Sequence, residues 1–290
     1  MRRSMLFMPG NNAGMLLNAD ALGADSVILD LEDAVSPAEK DSARILVRNA
    51  LKYLEYTNCE IIIRINSIDT DFWKKDLDEI IPLKPHMIMP PKVNSAEDVR
   101  VVADYIKAVE EKHNIENAVS IIALIETAIG VENAFEIARA CDRVKAIFLG
   151  AEDLTADLRC KRTKKGDEIF YSRGRIVTAA RAANIDAYDT PFTDVEDEEG
   201  LREDAEFAKS LGFTGKAAIS PRHVMTINEV FSPTMEEIEY AQEVMDIIRV
   251  AEEQGKGAIS LRGKMIDAPI VERARQTLEM AKALGGTFNE

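Results

Sequence analysis

Two carboxylates that end strongly apolar stretches are the residues of this sequence best suited to chemistry. Glu126 ends the run 120–126 and Asp153 ends the run 146–153. Two oxygen ligands, with the remaining positions left to water and substrate, are a common way for proteins to hold Mg²⁺. Each residue alone also fits a helix cap or an ion pair, and Glu152 beside Asp153 leaves the choice of ligand open. The pattern favours a metal site over these structural roles.

Arg64 is a cation in a place where a cation is costly. It follows four residues of the strand-like run 60–66, and a guanidinium on an interior-facing position is unfavourable unless it meets an anion. An anionic substrate would supply that anion. The alternative is a structural ion pair with a carboxylate near the preceding strand: Asp30, Glu32 or Asp33. Lys92, which follows a Pro-Pro pair, fits substrate binding and a plain surface role equally well.

The elements that must position these residues are eight short, nearly continuous apolar runs. Such runs are typical of parallel strands that are covered on both faces. Helical spacing lies between them, as in 96–114, where apolar residues recur at threes and fours. Strand alternating with helix eight times predicts an α/β fold, the (β/α)₈ TIM barrel, whose active site is built after the carboxyl ends of the strands. The runs are 4–10, 26–33, 60–66, 86–92, 120–126, 146–153, 185–192 and 215–221.

The last part of the chain has a different character. Residues 1–225 are predicted to form the catalytic barrel, and 226–290 a C-terminal helical extension. One helix is expected over 232–255, opening with a Ser232 or Thr234 cap and running to a Gly, and another begins near Pro269.

Composition excludes several classes of protein. A formal charge of −15 argues against a nucleic acid partner, since the basic stretch 159–165 carries no interleaved aromatic residues. No apolar run approaches the roughly 18 residues of a membrane span, and Pro9 and Gly10 interrupt the start too early for a signal peptide. A cytoplasmic protein is expected. The cysteines and histidines lack disulfide or metal-ligand spacing: Cys59, Cys141, Cys160, His86, His113 and His223.

Seven motifs stand in order along nearly the whole chain: RRSMLFMPGNN (2–12), LDLEDAV (29–35), RIN (64–66), LIETAIG (124–130), LGAEDL (149–154), ISPRH (219–223) and GKMIDAPIVERA (263–274). Together they resemble the citrate lyase/HpcH-HpaI aldolase superfamily. One of them is weak evidence, whereas seven in sequence are specific. Residues 157–189, and Ser220 in place of a His found in many relatives, are similar to the citrate lyase branch rather than to relatives that use coenzyme A (CoA) thioesters.

The resemblance implies cleavage of a citryl thioester on an acyl carrier protein to oxaloacetate and acetyl-carrier. It implies that Glu126 and Asp153 bind Mg²⁺, with Mn²⁺ as the alternative metal, and that Arg64 contacts substrate. Asp267 is the implied proton-transfer residue, reaching a neighbouring subunit's site, although Asp-Ala-Pro before a helix also reads as an N-cap. We assign the remaining acidic residues to orienting metal-bound water or Arg64. They are Asp30, Glu32 and Asp33.

The implied partners are an acyltransferase (α) subunit and an acyl carrier (γ) subunit, and the implied assembly is a homotrimer or higher. Because carrier proteins are usually acidic, the basic loop 159–165 is the predicted landing site. Two alternatives stay open. One is a lyase of the same chemistry that uses malyl-CoA or citramalyl-CoA, and the other is a barrel that serves only in assembly.

Overall fold

The computed structural model describes residues 1–116, 119–253 and 259–285. Eight parallel strands close into a barrel in chain order, with β1 paired to both β2 and β8. The predicted (β/α)₈ TIM barrel is therefore confirmed. The strands are β1 Ser4–Pro9, β2 Ser26–Asp30, β3 Glu60–Arg64, β4 Met87–Met89, β5 Ser120–Ile125, β6 Val144–Leu149, β7 Asp186–Asp189 and β8 Gly215–Ala218.

Helices connect the strands and begin where the sequence provides caps. In α4 the Ser95 hydroxyl accepts from the Asp98 N–H and the Asp98 carboxylate accepts from the Ser95 N–H, a reciprocal capping box. None of the described helices is long and apolar enough to cross a membrane. The helices of the barrel are α1 Ala13–Asn18, α2 Lys40–Tyr53, α3 Trp73–Ile80, α4 Ala96–Lys112, α5 Ala128–Glu132, α6 Ala134–Ala138, α7 Ala151–Asp157, α8 Phe170–Ala182, α9 Glu198–Leu211 and α10 Pro221–Phe231.

The apolar core has two layers because both faces of every strand are covered. Aliphatic side chains between the strands and the helices form the larger layer, for example Val27, Leu29 and Ile63. Alternate residues of the same strands fill the interior, so the barrel is packed and is not a pore. The interior residues are Met5, Ile28, Ile62, Met87, Met89, Ile122, Leu124, Ala146, Phe148, Tyr188 and Ala217.

The C-terminal residues form a separate compact unit. One unit comprises Arg2–Phe231 and the other takes in Ser232–Glu290, so the division falls after α10 and six residues beyond the expected boundary at 225. The second unit contains α11 Met235–Glu253, α12 Ala268–Ala283 and a hairpin of β9 Ile259–Leu261 and β10 Lys264–Ile266, which was not predicted. Thr234 caps α11 by accepting from the Glu237 N–H at 3.1 Å. The expected helix end at Gly255 lies outside the described residues.

Candidate metal and substrate site at the carboxyl ends of the strands

Glu126 and Asp153 lie beside each other because their strands are neighbours. Glu126 directly follows β5, and Ile125 pairs with Leu149 at the end of β6. Gly150, which follows Leu149, packs against the Glu126 side chain. A Cβ at position 150 would stand 2.6 Å from Glu126 Oε2 and 2.8 Å from Glu126 Cβ. Only glycine leaves this space for the carboxylate. Asp153 projects from the first turn of α7, directly after that glycine.

Glu126 is a buried carboxylate with few compensating contacts. It is 4% exposed, and its Oε1 accepts one hydrogen bond from the Lys92 N–H at 2.8 Å. Burial raises the pKa of Glu126 to about 8, and the carboxylates of Asp153 and Glu32 contribute to this shift, while Arg64 opposes it. Because burial disfavours the charged form of Glu126, a divalent ion bound there would favour that form.

Lys92 contacts several carboxylates of the site. Its backbone has a φ of 53°, a left-handed conformation that is uncommon for a residue with a side chain. This conformation aims its N–H at Glu126, while its Nζ donates to Glu32 Oε1 at 2.7 Å and lies 3.8 Å from Asp153. The structure thus places Lys92 in the cluster, although its role in binding substrate stays a prediction.

Of the two interpretations of Arg64, the structure shows the ion pair, and the contact with an anionic substrate stays a prediction. The structural pair is present, since Nε and Nη2 donate to the two oxygens of Asp30 at 2.7 and 2.5 Å. The other amine, Nη1, lies 3.2 Å from Glu32 and 3.7 Å from Asp33. Burial disfavours the charge of Arg64, but the contacts with Asp30 and Glu32 outweigh burial and raise its pKa. Arg64 therefore stays charged and presents Nη1 to the mouth of the barrel.

The loop after β2 folds around the Asp30 carboxylate. Asp30 accepts from the N–H groups of Glu32 and Ala34 at 2.8 and 3.0 Å, in addition to Arg64. This turn points Glu32 inward, where it is 5% exposed, and leaves the side chain of Asp33 55% exposed at the mouth. Asp30 and Glu32 thus contact Arg64 directly, as the predicted orienting role requires.

Glu152 is held differently from its neighbour Asp153. The Glu152 carboxylate lies 3.5 Å from Arg162 Nε and is 57% exposed. Asp153 instead faces Lys92 and raises the pKa of Glu126. Asp153 is therefore the better placed of the two to share an ion with Glu126.

A cavity of about 260 Å³ opens at these residues. Among the described residues, no group of three or more His, Cys, Asp or Glu has metal-binding geometry, so the candidate ligands are two carboxylates. Such a pair fits an ion that keeps water or substrate in its other positions. The lining combines charged groups with an apolar wall: Phe7, Asp30, Asp33, Ala34, Arg64, Leu124, Glu126, Phe148, Gly150, Ala151, Glu152, Asp153, Thr190, Pro191 and Ile219.

A larger cavity, of about 810 Å³, lies at the opposite end of the barrel. Residues at the beginning of β6 and β7 line this cavity. The cations of its lining include Arg139 and Arg181, at the ends of α6 and α8. Positive charge at a helix carboxyl end is stabilising without any ligand. Because catalytic groups of TIM barrels lie at the carboxyl ends of the strands, the smaller cavity is the candidate site.

Several residues near the site were not predicted from the sequence. Phe7 lies under the Arg64 guanidinium at 5.2 Å and forms part of the apolar wall. Gly150 was within a recognised motif, but its role depends on the approach of β5. Lys40, Asn66 and Asp76 are buried polar residues whose contacts depend on tertiary structure, and no sequence spacing pointed to them.

Two other predicted residues or segments lie outside this cavity's lining. Asp267 caps α12 in the C-terminal unit, where its Oδ1 accepts from the Ile270 N–H at 3.1 Å. The cations of the basic loop 159–165 are largely paired locally. Lys164 contacts Asp194 and Asp197, Lys165 contacts Asp167, and Arg162 contacts Glu168 and Glu152.

Known proteins with similar sequences cover nearly the whole chain. Residues 3–221 match the family model described as HpcH/HpaI aldolase/citrate lyase. The chain is 43% identical to citrate lyase subunit beta of Leuconostoc mesenteroides subsp. cremoris, over 98% of this chain and 94% of the relative. It is 36% identical to (3S)-malyl-CoA thioesterase of Cereibacter sphaeroides, over 97% of this chain and 95% of that protein.

Among solved structures, it is similar to the protein CitE from Mycobacterium tuberculosis in complex with magnesium, acetoacetate and coenzyme A. The TM-score is 0.79 and the identity 31%, over 97% of this chain and 98% of that chain. The predicted resemblance is confirmed, and the identities favour the citrate lyase branch over the CoA thioester branch. The chain belongs to the HpcH/HpaI aldolase/citrate lyase family.

Proposed function

We propose that this chain is the carbon–carbon lyase that cleaves a citryl thioester, carried on an acyl carrier protein, to oxaloacetate and acetyl-carrier. The observation that carries the proposal is the buried Glu126 beside Asp153, in a cavity that also presents Arg64. Glu126 and Asp153 would hold Mg²⁺, and Mn²⁺ would fit the same oxygen ligands.

The chemistry explains why these groups are needed together. The bond between the hydroxyl-bearing carbon and the α-carbon of the thioester breaks, and its electron pair passes to the thioester as an enolate. The hydroxyl loses its proton as it becomes the ketone, and the enolate carbon gains one. Mg²⁺ held by Glu126 and Asp153 would supply Lewis-acid stabilisation of the negative charge that develops on oxygen.

The residues of the chain hold the substrate and stabilise charge. Arg64 Nη1 offers N–H donors to a substrate carboxylate or to the developing oxyanion, and Asp30 keeps the guanidinium fixed through two contacts. Lys92 adds positive charge beside Glu32 and Asp153. Phe7 and Phe148 close one side of the cavity to water, which strengthens these electrostatic contacts.

Asp267 is proposed as the proton-transfer residue, supplied by a neighbouring copy of the chain in a homotrimer or larger assembly. Because it also caps α12, two substitutions separate the two roles. Asp267→Asn keeps a capping oxygen and loses the carboxylate, whereas Asp267→Ala loses both. A catalytic Asp267 makes Asp267→Asn stable but slow, with kcat reduced about 100-fold or more. An Asp267→Asn protein with native kcat would leave only the cap.

The deciding experiment compares thioesters. Purified protein is incubated with Mg²⁺ and either citryl-carrier, citramalyl-CoA or malyl-CoA, and release of the keto acid is measured. We expect oxaloacetate from citryl-carrier, with a kcat/KM at least tenfold above either CoA thioester, and no release after chelation of the metal. Preference for a CoA thioester would favour the second candidate function, a malyl-CoA or citramalyl-CoA lyase. That function is supported by the coenzyme A bound in the similar CitE structure. A purely assembly role predicts no cleavage of any thioester, so Mg²⁺-dependent cleavage that is lost in folded Glu126→Ala, Asp153→Ala and Arg64→Ala proteins would rule it out.

An acyl carrier (γ) subunit and an acyltransferase (α) subunit are the proposed partners. Since most cations of the basic loop are paired, Arg159 and Lys161 are its cations that lack an ion pair within the described chain. They are the proposed contacts for an acidic carrier. Reversing both charges should raise KM for the carrier substrate and leave kcat unchanged. Reversal of Lys165, which is already paired with Asp167, is the matched control.

A further inference from the structure

Helix α2 begins with a buried lysine that contacts the backbone of the site. Lys40 is 8% exposed, and its Nζ donates to the carbonyl oxygens of Leu31 and Glu32 at 2.9 and 2.6 Å. A buried ammonium is costly and is retained where its donors are used. Here the donors hold the two peptide groups that directly follow β2.

Leu31 and Glu32 make further contacts at the mouth of the barrel. The Leu31 N–H donates to the Arg64 carbonyl at 2.9 Å, and the Glu32 N–H donates to Asp30 Oδ1. The Glu32 side chain then reaches Lys92 at 2.7 Å. Lys40 therefore contacts the backbone of the turn that positions Asp30 and Glu32 at the mouth of the barrel.

One helical turn later, Arg44 acts on the next strand. Its Nε donates to Asp76 Oδ1 at 2.7 Å, and Asp76 is fully buried. The other oxygen, Oδ2, accepts from the backbone N–H of Asn66 at 2.9 Å and from its Nδ2 at 2.7 Å. Asn66 lies two residues after Arg64, so this relay fixes the loop that continues β3.

We propose that α2 is a positioning element of the site. Lys40 and Arg44 are four residues apart on one helix and therefore share a face. One holds the loop after β2 and the other, through Asp76 and Asn66, the loop after β3. Lys40, Arg44, Asp76 and Asn66 are not among the described residues that line the cavity. They act through the Glu32–Lys92 contact and the Arg64–Asp30 pair and do not touch substrate.

Precise placement of such groups has a large effect on rate, because a displacement of about 1 Å can cost about 100-fold. The expected effect on the reaction rate rests on the proposed function, whereas the expected change in structure does not. Lys40→Met keeps the length and the apolar stem of the side chain and removes every donor. Lys52→Met, at an exposed lysine in the last turn of the same helix, is the matched control.

The test measures kcat and KM of both variants under conditions where circular dichroism shows them fully folded. We expect Lys40→Met to lower kcat at least tenfold while KM for the thioester changes less than threefold, and Lys52→Met to match the native enzyme. A Lys40→Met protein that is folded and within twofold of native kcat overturns the inference. If Lys40→Met does not fold, Arg44→Lys, which keeps the charge and loses the guanidinium fork, is judged by the same criteria.

A crystal structure of the variant provides a second result that needs no substrate. We expect the distance from Glu32 to Lys92 to lengthen beyond 3.5 Å, and retention of the native 2.7 Å contact would refute the positioning role. If native protein shows no cleavage while this displacement occurs, the proposed function fails and the positioning inference stands.

Discussion

Two clusters of buried charge in the barrel differ in balance and in access. The first lies between the strands and helices at β7 and β8. Lys216 Nζ contacts Asp189 at 2.5 Å and Asp204 at 2.6 Å. Arg173 contacts the same two carboxylates at 2.8 and 2.7 Å. Two cations meet two anions, and every member is 7% exposed or less. We call these four residues the closed network.

The second cluster, at the mouth, is neither balanced nor closed. Five carboxylates face two cations, which leaves three formal negative charges beside a cavity. Its members are Asp30, Glu32, Asp33, Glu126, Asp153, Arg64 and Lys92. Charges that neutralise each other without solvent need no ligand, whereas an excess of carboxylates that includes a buried one is suited to binding a divalent cation. The comparison distinguishes a structural cluster from a functional one.

The largest expected effect is loss of stability when the closed network is broken. Lys216→Met leaves Asp189 and Asp204 with a single cation, so we expect the free energy of unfolding to fall by about 3–5 kcal/mol. Urea denaturation measures this change. Lys145→Met, at an exposed position on β6, is the control and should change it by less than about 0.5 kcal/mol. A loss of under about 1 kcal/mol for Lys216→Met would remove the distinction between the clusters.

Removal of a carboxylate at the mouth should lower turnover without lowering stability. Glu126→Gln is expected to lower Mg²⁺-dependent turnover by at least about 100-fold, because even residues that only support a metal ligand contribute 10–100-fold. Stability should be unchanged or higher, since the amide avoids burying a charge. Turnover and thermal unfolding are measured on the same preparation. Glu152→Gln is the matched control, and equal losses in both variants would contradict the assignment of Glu126.

Metal should stabilise the mouth and leave the closed network unaffected. At a hundredfold excess over Kd, Mg²⁺ is expected to add about 2.7 kcal/mol to the free energy of unfolding of the native protein. The Lys216→Met protein should gain the same increment, and Glu126→Gln should gain much less. Titration with Mg²⁺ followed by thermal unfolding provides the measurement, and equal gains in all three proteins would refute a site at Glu126.

The smallest expected effect is the acid response of the closed network. Burial alone would raise the pKa of Asp204, but Lys216 and Arg173 outweigh it and lower that pKa. A lowered pKa contributes stability that is complete above the unfolded value of about 3.8 and is lost as pH falls through the folded one. Between pH 6 and pH 3, Asp204→Asn should therefore lose about 1 kcal/mol less than native protein. Urea unfolding at both pH values tests this, and identical acid losses would contradict it.

Much of the barrel was readable from the sequence because both faces of parallel strands are buried. That physical requirement makes each strand a short, mainly apolar run, with polar residues concentrated where the strand ends. Glu126 and Asp153 were recognisable for this reason. The hairpin β9–β10 was not predicted, since its two strands are only three residues each and lack a distinctive run.

The partners of each charge could not be read in the same way. Arg64 was expected to meet either substrate or a carboxylate, and the structure shows a bidentate pair with Asp30, with Nη1 lying 3.2 Å from Glu32. The Lys92 N–H reaches Glu126 because the backbone of Lys92 is left-handed. The residue type at position 92 does not predict that conformation. Lys216 and Asp189 occupy apolar runs of the sequence without any sign that they neutralise each other.

The sequence by itself determined the family, the alternation of strands and helices, and which carboxylates stand at strand ends. It could do so because these properties depend on local polarity and on motif order along the chain. Only the tertiary structure decided that Arg162 pairs with Glu152 while Asp153 faces Glu126, and that α2 holds two loops of the site. Such contacts join residues far apart in sequence, and their strength depends on burial and distance, which exist only once the barrel has closed.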